Sequence, residues 1–168
     1  MTTADAIAII EEQAAIIEYL SHDAAFDILT RSGLEHLCWP KIVKEASYII
    51  FIDIDHMHEL NERLGYEKVN ELIRASIHGR DVVKKERRAL DIGRWFSGDE
   101  IVIIIRDGDP VKYAKSLLRE MHRNGISSTF GIATVTSDDL AINVRAAMDL
   151  VQCAKMNDRR GTINQIDL

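Results

Sequence analysis

Ser47-Tyr48-Ile49-Ile50-Phe51-Ile52-Asp53-Ile54-Asp55 decides how this chain is read. The run through Ile54 is β-branched and aromatic almost without interruption, which predicts a strand buried on both faces. Such a strand needs cover on each side, and the surrounding sequence supplies helical spacing. Asp5 to Leu20 carries Ile9, Ile10, Ile16, Ile17 and Leu20 as a helical stripe. His22 to Leu37 reads as a second helical stretch, ended by Pro40. Met57 to Ile77 returns to helical spacing with Gly65 as a break. Pro110 opens a helix through Tyr113, Leu117, Leu118 and Met121 that Asn124-Gly125 closes, and Leu140 to Asn157 is a further helix. Between them, Asp91 to Phe96 and Ile101 to Arg106 read as strands joined by a hairpin turn at Ser97-Gly98-Asp99-Glu100. Ser127 to Val135 and Thr162 to Ile166 complete the strands, and the charged stretch Asp81 to Arg88 is the segment expected to be mobile. The pattern predicts an α/β layer fold, a sheet covered by helices.

Composition narrows the function. The 168 residues hold 21 Lys and Arg against 27 Asp and Glu, a net charge of −6. No broad basic surface is available to neutralise a duplex backbone, so long nucleic acid is not an expected partner. One small phosphorylated ligand needs only a local cationic cluster. Cys38 and Cys153 are too few for a disulfide framework, and no Cys/His spacing reads as zinc. The longest apolar runs fall far short of the ~20 residues of a membrane span. The N-terminus has no basic region leading into an apolar one. These features predict a cytoplasmic protein with no membrane partner.

Three clusters could carry chemistry. Asp53 and Asp55 close the apolar strand, and strand alternation puts both carboxylates on one side. A structural role competes for Asp55, as cap of the helix beginning near Met57. Asp99 and Glu100 lie in the hairpin turn. If the two strand segments are neighbours, Asp53 and Asp99 converge, with Glu100 as a further candidate, and grouped carboxylates repel unless a cation sits between them or one is protonated. Oxygen-only ligands select Mg²⁺, Mn²⁺ or Ca²⁺ rather than zinc, and Mg²⁺ completed by waters and phosphates is the usual arrangement for nucleoside triphosphates. Lys155, Arg159 and Arg160 close the last long helix, with Lys155 and Arg159 at i and i+4 on one face. Cations there complement the helix dipole without any ligand, and they also suit a triphosphate.

Taken in order, these segments resemble the GGDEF family, the catalytic domain of diguanylate cyclases. Asp27-Ile28-Leu29-Thr30 is similar to the opening of its Asp-x-Leu-Thr-Gly-Leu-x-Asn-Arg motif. Asp53-Ile54-Asp55-His56-Met57-His58-Glu59-Leu60-Asn61-Glu62 resembles Asp-x-Asp-x-Phe-Lys-x-x-Asn-Asp, and Gly65-Tyr66 follows where Gly-His is usual. Ser97-Gly98-Asp99-Glu100-Ile101 stands at the Gly-Gly-Asp-Glu-Phe signature. Thr129-Phe130-Gly131-Ile132-Ala133 is close to the Ser-x-Gly-x-Ala strand, and Val151 to Lys155 with Arg159 resembles the closing Leu-Tyr-x-Ala-Lys-x-x-Gly-Arg helix. The likeness begins near His22, dividing the chain into an N-terminal helix (1–21) and a GGDEF-like catalytic domain (22–168).

The resemblance implies a mixed, mostly antiparallel sheet of about five strands, ferredoxin-like at its core and related to the palm of polymerases. It implies a homodimer in which each chain binds one nucleoside triphosphate and each 3′-hydroxyl attacks the partner's α-phosphate, releasing pyrophosphate. Carried over by position, Asp53, Asp99 and the Ile54 carbonyl would hold Mg²⁺ or Mn²⁺. Glu100 would be a metal ligand or the base for the 3′-hydroxyl. His58, Lys155 and Arg159 would contact phosphates, and Asn61 and Asn70 would read the base. Arg88 and Asp91 stand at the Arg-x-x-Asp product-inhibition site of many members, although Asp91 also suits the start of a strand.

The departures are specific. Asn70 stands where the family has the Asp that accepts from both guanine N–H groups; an amide offers one acceptor and adds a donor. His58 replaces a phosphate-contacting Lys, Tyr66 a His, Arg31 a Gly and Ser97 the first signature Gly. The metal carboxylates survive while the base reader changes, which points to a cyclic-dinucleotide synthase of altered or relaxed choice between GTP and ATP. The alternatives are a non-catalytic GGDEF-like module that binds nucleotide or product, and another palm-type enzyme such as a minimal CRISPR-type polymerase or a mononucleotide cyclase.

Overall fold

The strand that decided the sequence reading is the centre of the sheet. In the computed structural model, which describes residues 3–79, 90–96 and 98–166, β3 (Tyr48–Ile54) is hydrogen-bonded on both sides. Helix α1 (Thr3–Ser21) leads into the two-residue strands β1 (His22–Asp23) and β2 (Ile28–Leu29). A π-helical stretch, Gly33–Cys38, runs into the short α2 (Trp39–Ile42). After β3 come α3 (Met57–Leu64), α4 (Tyr66–Ile77), β4 (Leu90–Arg94), β5 (Glu100–Ile105), α5 (Pro110–Arg123), β6 (Ser128–Thr134), α6 (Leu140–Met156) and β7 (Ile163–Gln165). The strand order is β1-β2-β4-β5-β3-β6-β7. The β3–β5, β3–β6, β4–β5 and β1–β2 pairs are antiparallel, while β2–β4 and β6–β7 are parallel.

The two faces of β3 feed two cores. Ile50, Ile52 and Ile54 pack with Val69, Ile73 and Ile77 of α4 and Leu117 and Met121 of α5. Ile49 and Phe51 pack with Trp39, Leu34 and the α6 residues Val144, Ala147 and Val151. Alternation therefore sends Asp53 to the α6 side. Helix α6 lies close against β6 because Gly131 leaves it room: a Cβ there would stand 2.0 Å from the Ala147 carbonyl oxygen. Asp139 caps α6 by accepting from Ala141 N–H, and Asp109 caps α5 in the same way.

Three expectations need correcting. The sheet has seven strands rather than about five, because short edge strands extend it at both ends. His22 to Leu37 is helical only in its second half, where Gly33–Cys38 is the π-helical stretch: its start pairs as β1 and β2, since Asp27 in the left-handed region (φ 59°) turns the chain back. Pro40 does not end a helix but sits in the first turn of α2, where its missing N–H costs nothing. The charged stretch 81–88, named above as mobile, lies outside the described residues.

Helix α1 projects its stripe outward. Ile10 and Leu20 are each 64% exposed, and Ile9, Ile16 and Ile17 are also open. No helix among the described residues is long and apolar enough to cross a membrane.

Candidate functional site

The carboxylates at the end of β3 have unlike surroundings. Asp55 is fully buried at its side chain. Its oxygens accept from Ser127 Oγ (2.8 Å), Thr129 Oγ1 (2.9 Å) and Gly161 N–H (3.1 Å), with the Lys155 ammonium 3.3 Å away. It does not cap α3, as the sequence allowed. The cap position is His56, in the left-handed region and with no side-chain hydrogen bond capping the helix, and Asp55 instead ties β3 to β6 and to the loop before β7. Asp53 is 23% exposed and accepts from Lys155 Nζ at 2.5 Å. Burial pushes its carboxyl above the usual range. The Lys155 bond and charge pull the other way, and the Asp99 charge adds to the rise.

The β3–β5 ladder brings the signature hairpin to this point. Asp53 pairs in register with Glu100, and Ile54 N–H donates to the Asp99 carbonyl at 3.0 Å. Asp99 lines a hollow of 370 Å³ with His58, Asn61, Tyr66, Asn70 and Arg94. The two asparagines, nine residues apart in sequence, thus share one concavity because α3 and α4 meet at Gly65. Asn61 Oδ1 is buried with no hydrogen-bond partner among the described residues. His58 is exposed and 3.2 Å from Glu62, one turn on.

Glu100 takes a different direction. Its Oε2 accepts from Phe96 N–H at 3.1 Å, and it lines a recess with Arg31, Trp95 and Arg145. Glu100, the further candidate for that cluster, helps close its own hairpin, while the backbone pairing sets the Asp99 turn next to the end of β3 that bears Asp53. Among the described residues, no three acidic, His or Cys side chains stand close enough to hold a metal ion by themselves.

At the far end of α6, Lys155 and Arg159 are not on one helical face. The helix stops at Met156, Asp158 adopts the left-handed region (φ 53°) and Arg159 N–H returns to the Ala154 carbonyl at 2.8 Å, a Schellman-type ending. Lys155 turns to the carboxylates and Arg159 departs with the following loop.

Two arginines in this region have contacts that the sequence did not show: Arg94 was not singled out, and Arg31 was named only as standing where the family has a Gly. Arg94 donates to Asp23 (2.8 Å) and to the Gly98 carbonyl (3.1 Å), fastening the hairpin turn to β1. Arg31 stacks 3.9 Å from the Phe96 ring centroid and 4.5 Å from that of Trp95. The adjacent Arg-Trp-Phe at a strand end was the available signal, though nothing local showed where Arg31 would land. Asp91 stands 3.5 Å from Arg106, and Arg88 lies outside the described residues. Burial, with the nearby Asp91 charge adding to it, pushes the Cys38 thiol up to about 12.

No protein-family model matches the sequence, and no curated protein matches it. Solved structures do. A microbial GGDEF domain described for its interaction with bis-(3,5)-cyclic di-GMP matches with a TM-score of 0.70 at 18% identity, over 88% of this chain and 99% of that one. The GGDEF domain of DgcB from Caulobacter crescentus, in complex with c-di-GMP, gives 0.63 at 17%, over 86% and 92%. The S helix-GGDEF-EAL part of Vibrio cholerae LapD, bound to c-di-GMP, gives 0.72 at 16%, over 95% of this chain and 40% of that one. The chain has the fold of GGDEF domains, an α+β palm-type fold.

Proposed function

We propose that this chain is a nucleotidyltransferase that condenses two nucleoside triphosphates into a cyclic dinucleotide, with base choice relaxed from GTP toward ATP, and that it works in the cytoplasm. The observation that carries this reading is the β3–β5 pairing, which sets the Asp99 turn beside the Asp53 end of β3, with Asp99 lining a hollow that contains Asn61 and Asn70. Oxygen donors from two carboxylates, with the Ile54 carbonyl, suit Mg²⁺ or Mn²⁺, which habitually take few protein ligands and complete their shell with phosphates and water. When bound, the metal would neutralise phosphate charge and lower the barrier to attack by the 3′-hydroxyl.

The remaining roles fall to the chain's own groups. Lys155 and Arg159 hold phosphate oxygens, and His58 lies at the mouth of the hollow. Glu100 serves as a metal ligand or takes the 3′-hydroxyl proton once it leaves the Phe96 N–H. Asn61 Oδ1 accepts from the base, which relieves an orphaned acceptor worth about 1–3 kcal/mol. Asn70 offers one acceptor and one donor, and that pair matches the adenine edge as well as part of the guanine edge. Arg88 and Asp91 form a product site. The reaction needs two half-sites face to face, so a homodimer is required, and the open α1 stripe suits a second copy of this chain.

The direct test is incubation with each of the four triphosphates and Mg²⁺ or Mn²⁺, with products identified by mass. A cyclic dinucleotide from GTP, ATP or both is expected. Tight nucleotide binding without product would favour a binding module instead, a reading that Glu100's engagement with Phe96 N–H supports. A linear polymer or a cyclic mononucleotide would point to another palm-type chemistry.

A further inference from the structure

Lys155 is placed unlike a residue that waits for phosphate. Its ammonium donates to Asp53 Oδ1 at 2.5 Å and lies 3.3 Å from Asp55 Oδ1, and both Lys155 and Asp53 are less than a quarter exposed. The two carboxylates depend on it unequally. Asp55 already accepts from Ser127, Thr129 and Gly161. For Asp53, the Lys155 bond is the hydrogen bond that offsets its burial. We propose that Lys155 is the resident counter-ion of Asp53 and makes metal entry at Asp53 depend on nucleotide. This rests on the reading of Asp53 and Asp99 as the metal carboxylates.

The physical argument is one of competing cations. A divalent ion at Asp53 would meet an ammonium already on the same carboxylate, and like charges a few ångströms apart in a partly buried site repel strongly. Metal alone therefore binds against Lys155. A triphosphate changes both sides of the balance, because its oxygens give the ammonium an alternative partner and the metal further ligands. Metal and nucleotide then favour one another, and by linkage each raises the other's affinity by the same factor. Arg159 cannot take the place of Lys155 here, since the turn at Asp158 carries it away from the helix face that bears Lys155. Asp99, whose charge reaches Asp53, strengthens the pull on either cation without choosing between them.

The test measures Mn²⁺ binding by electron paramagnetic resonance, with and without a non-hydrolysable triphosphate analogue, in the full chain. The wild type should bind Mn²⁺ alone weakly, and the analogue should tighten it on the order of tenfold. Lys155→Gln should bind Mn²⁺ alone on the order of tenfold more tightly than wild type, with most of the coupling to the analogue gone. Lys155→Arg keeps the charge and should keep the weak binding, which separates charge from packing. Asp53→Asn in the Lys155→Gln background should remove the gain, and thermal melting checks that each variant folds. If the analogue tightens Mn²⁺ in the wild type but Lys155→Gln gains nothing alone, the counter-ion role is wrong and the metal assignment stands. If no variant binds Mn²⁺ under either condition, the metal assignment fails and takes the counter-ion with it.

Discussion

Asp53 and Asp55 are two residues apart on one strand end and both touch Lys155, yet their surroundings have little else in common. Asp55 is closed in by two hydroxyls and a backbone N–H from β6 and the loop before β7. Asp53 faces the hairpin turn and keeps part of its surface open. A buried carboxylate with its acceptor sites filled joins elements together. One held, among the described residues, by a single ammonium and partly open to solvent retains capacity for a ligand. The difference shows that side-chain chemistry is assigned by what the neighbouring strands bring, since residue type and strand face are the same for both.

That contrast can be broken most sharply by substitution. Asp53→Asn should reduce turnover by on the order of a thousandfold while the fold survives, because metal stabilisation of a phosphoryl transition state amounts to several kcal/mol. Steady-state product formation and a melting curve check both halves, and unchanged activity would remove Asp53 from the site. Asp55→Ala should do the reverse of Asp53→Asn on stability. Leaving two hydroxyls and an N–H without their acceptor, and the Lys155 ammonium with Asp53 as its remaining carboxylate, should cost about 3–5 kcal/mol. For a chain of this size that is a melting temperature lower by roughly 10 °C, and a melt unchanged from wild type would deny Asp55 its structural role.

A smaller effect is expected in the hollow next to Asp53. Asn70→Asp restores a two-point acceptor for guanine and should raise the GTP-to-ATP ratio of kcat/KM by about tenfold to a hundredfold. An unchanged ratio would mean that the base is read elsewhere. The smallest effect concerns pH. The Asp53 carboxyl titrates above its ordinary 3.8 in the folded chain, so the native state holds that proton more tightly than the unfolded one. Its contribution to stability is therefore greatest below 3.8 and is lost as pH rises through the folded value. Asp53→Asn should melt progressively higher relative to wild type as pH increases across that window. A difference that shrinks instead would reverse the sign assigned to its burial.

Much of the architecture was legible because apolar runs report burial directly. β3, the hairpin of β4 and β5, the break at Gly65, the helix from Pro110 closed by Asn124-Gly125 and the helix from Leu140 all followed from periodicity and breaker residues. Within the predicted helix His22 to Leu37, the part from His22 to Leu29 was misread because its apolar residues suit a helix by spacing, while pairing with β4 and a left-handed Asp27 impose strands; the part from Gly33 is helical. Within the site, Asp53, Asp99, Asn61, Asn70 and Lys155 were all singled out. The direction of Glu100, the departure of Arg159 from the helix face and the engagement of Arg94 and Arg31 were not, since each is set by contacts across the fold.

The sequence by itself determined a central strand buried on both faces, the two layers covering it and the acids at its end. Those properties reside in the period and polarity of consecutive residues, which burial reads locally. Only the tertiary structure decided which acid is structural, where Lys155 points and which side chains share the hollow with Asp99. These depend on residues as far apart as Asp53 and Lys155, and separation along the chain carries no information about the distance at which their charges meet.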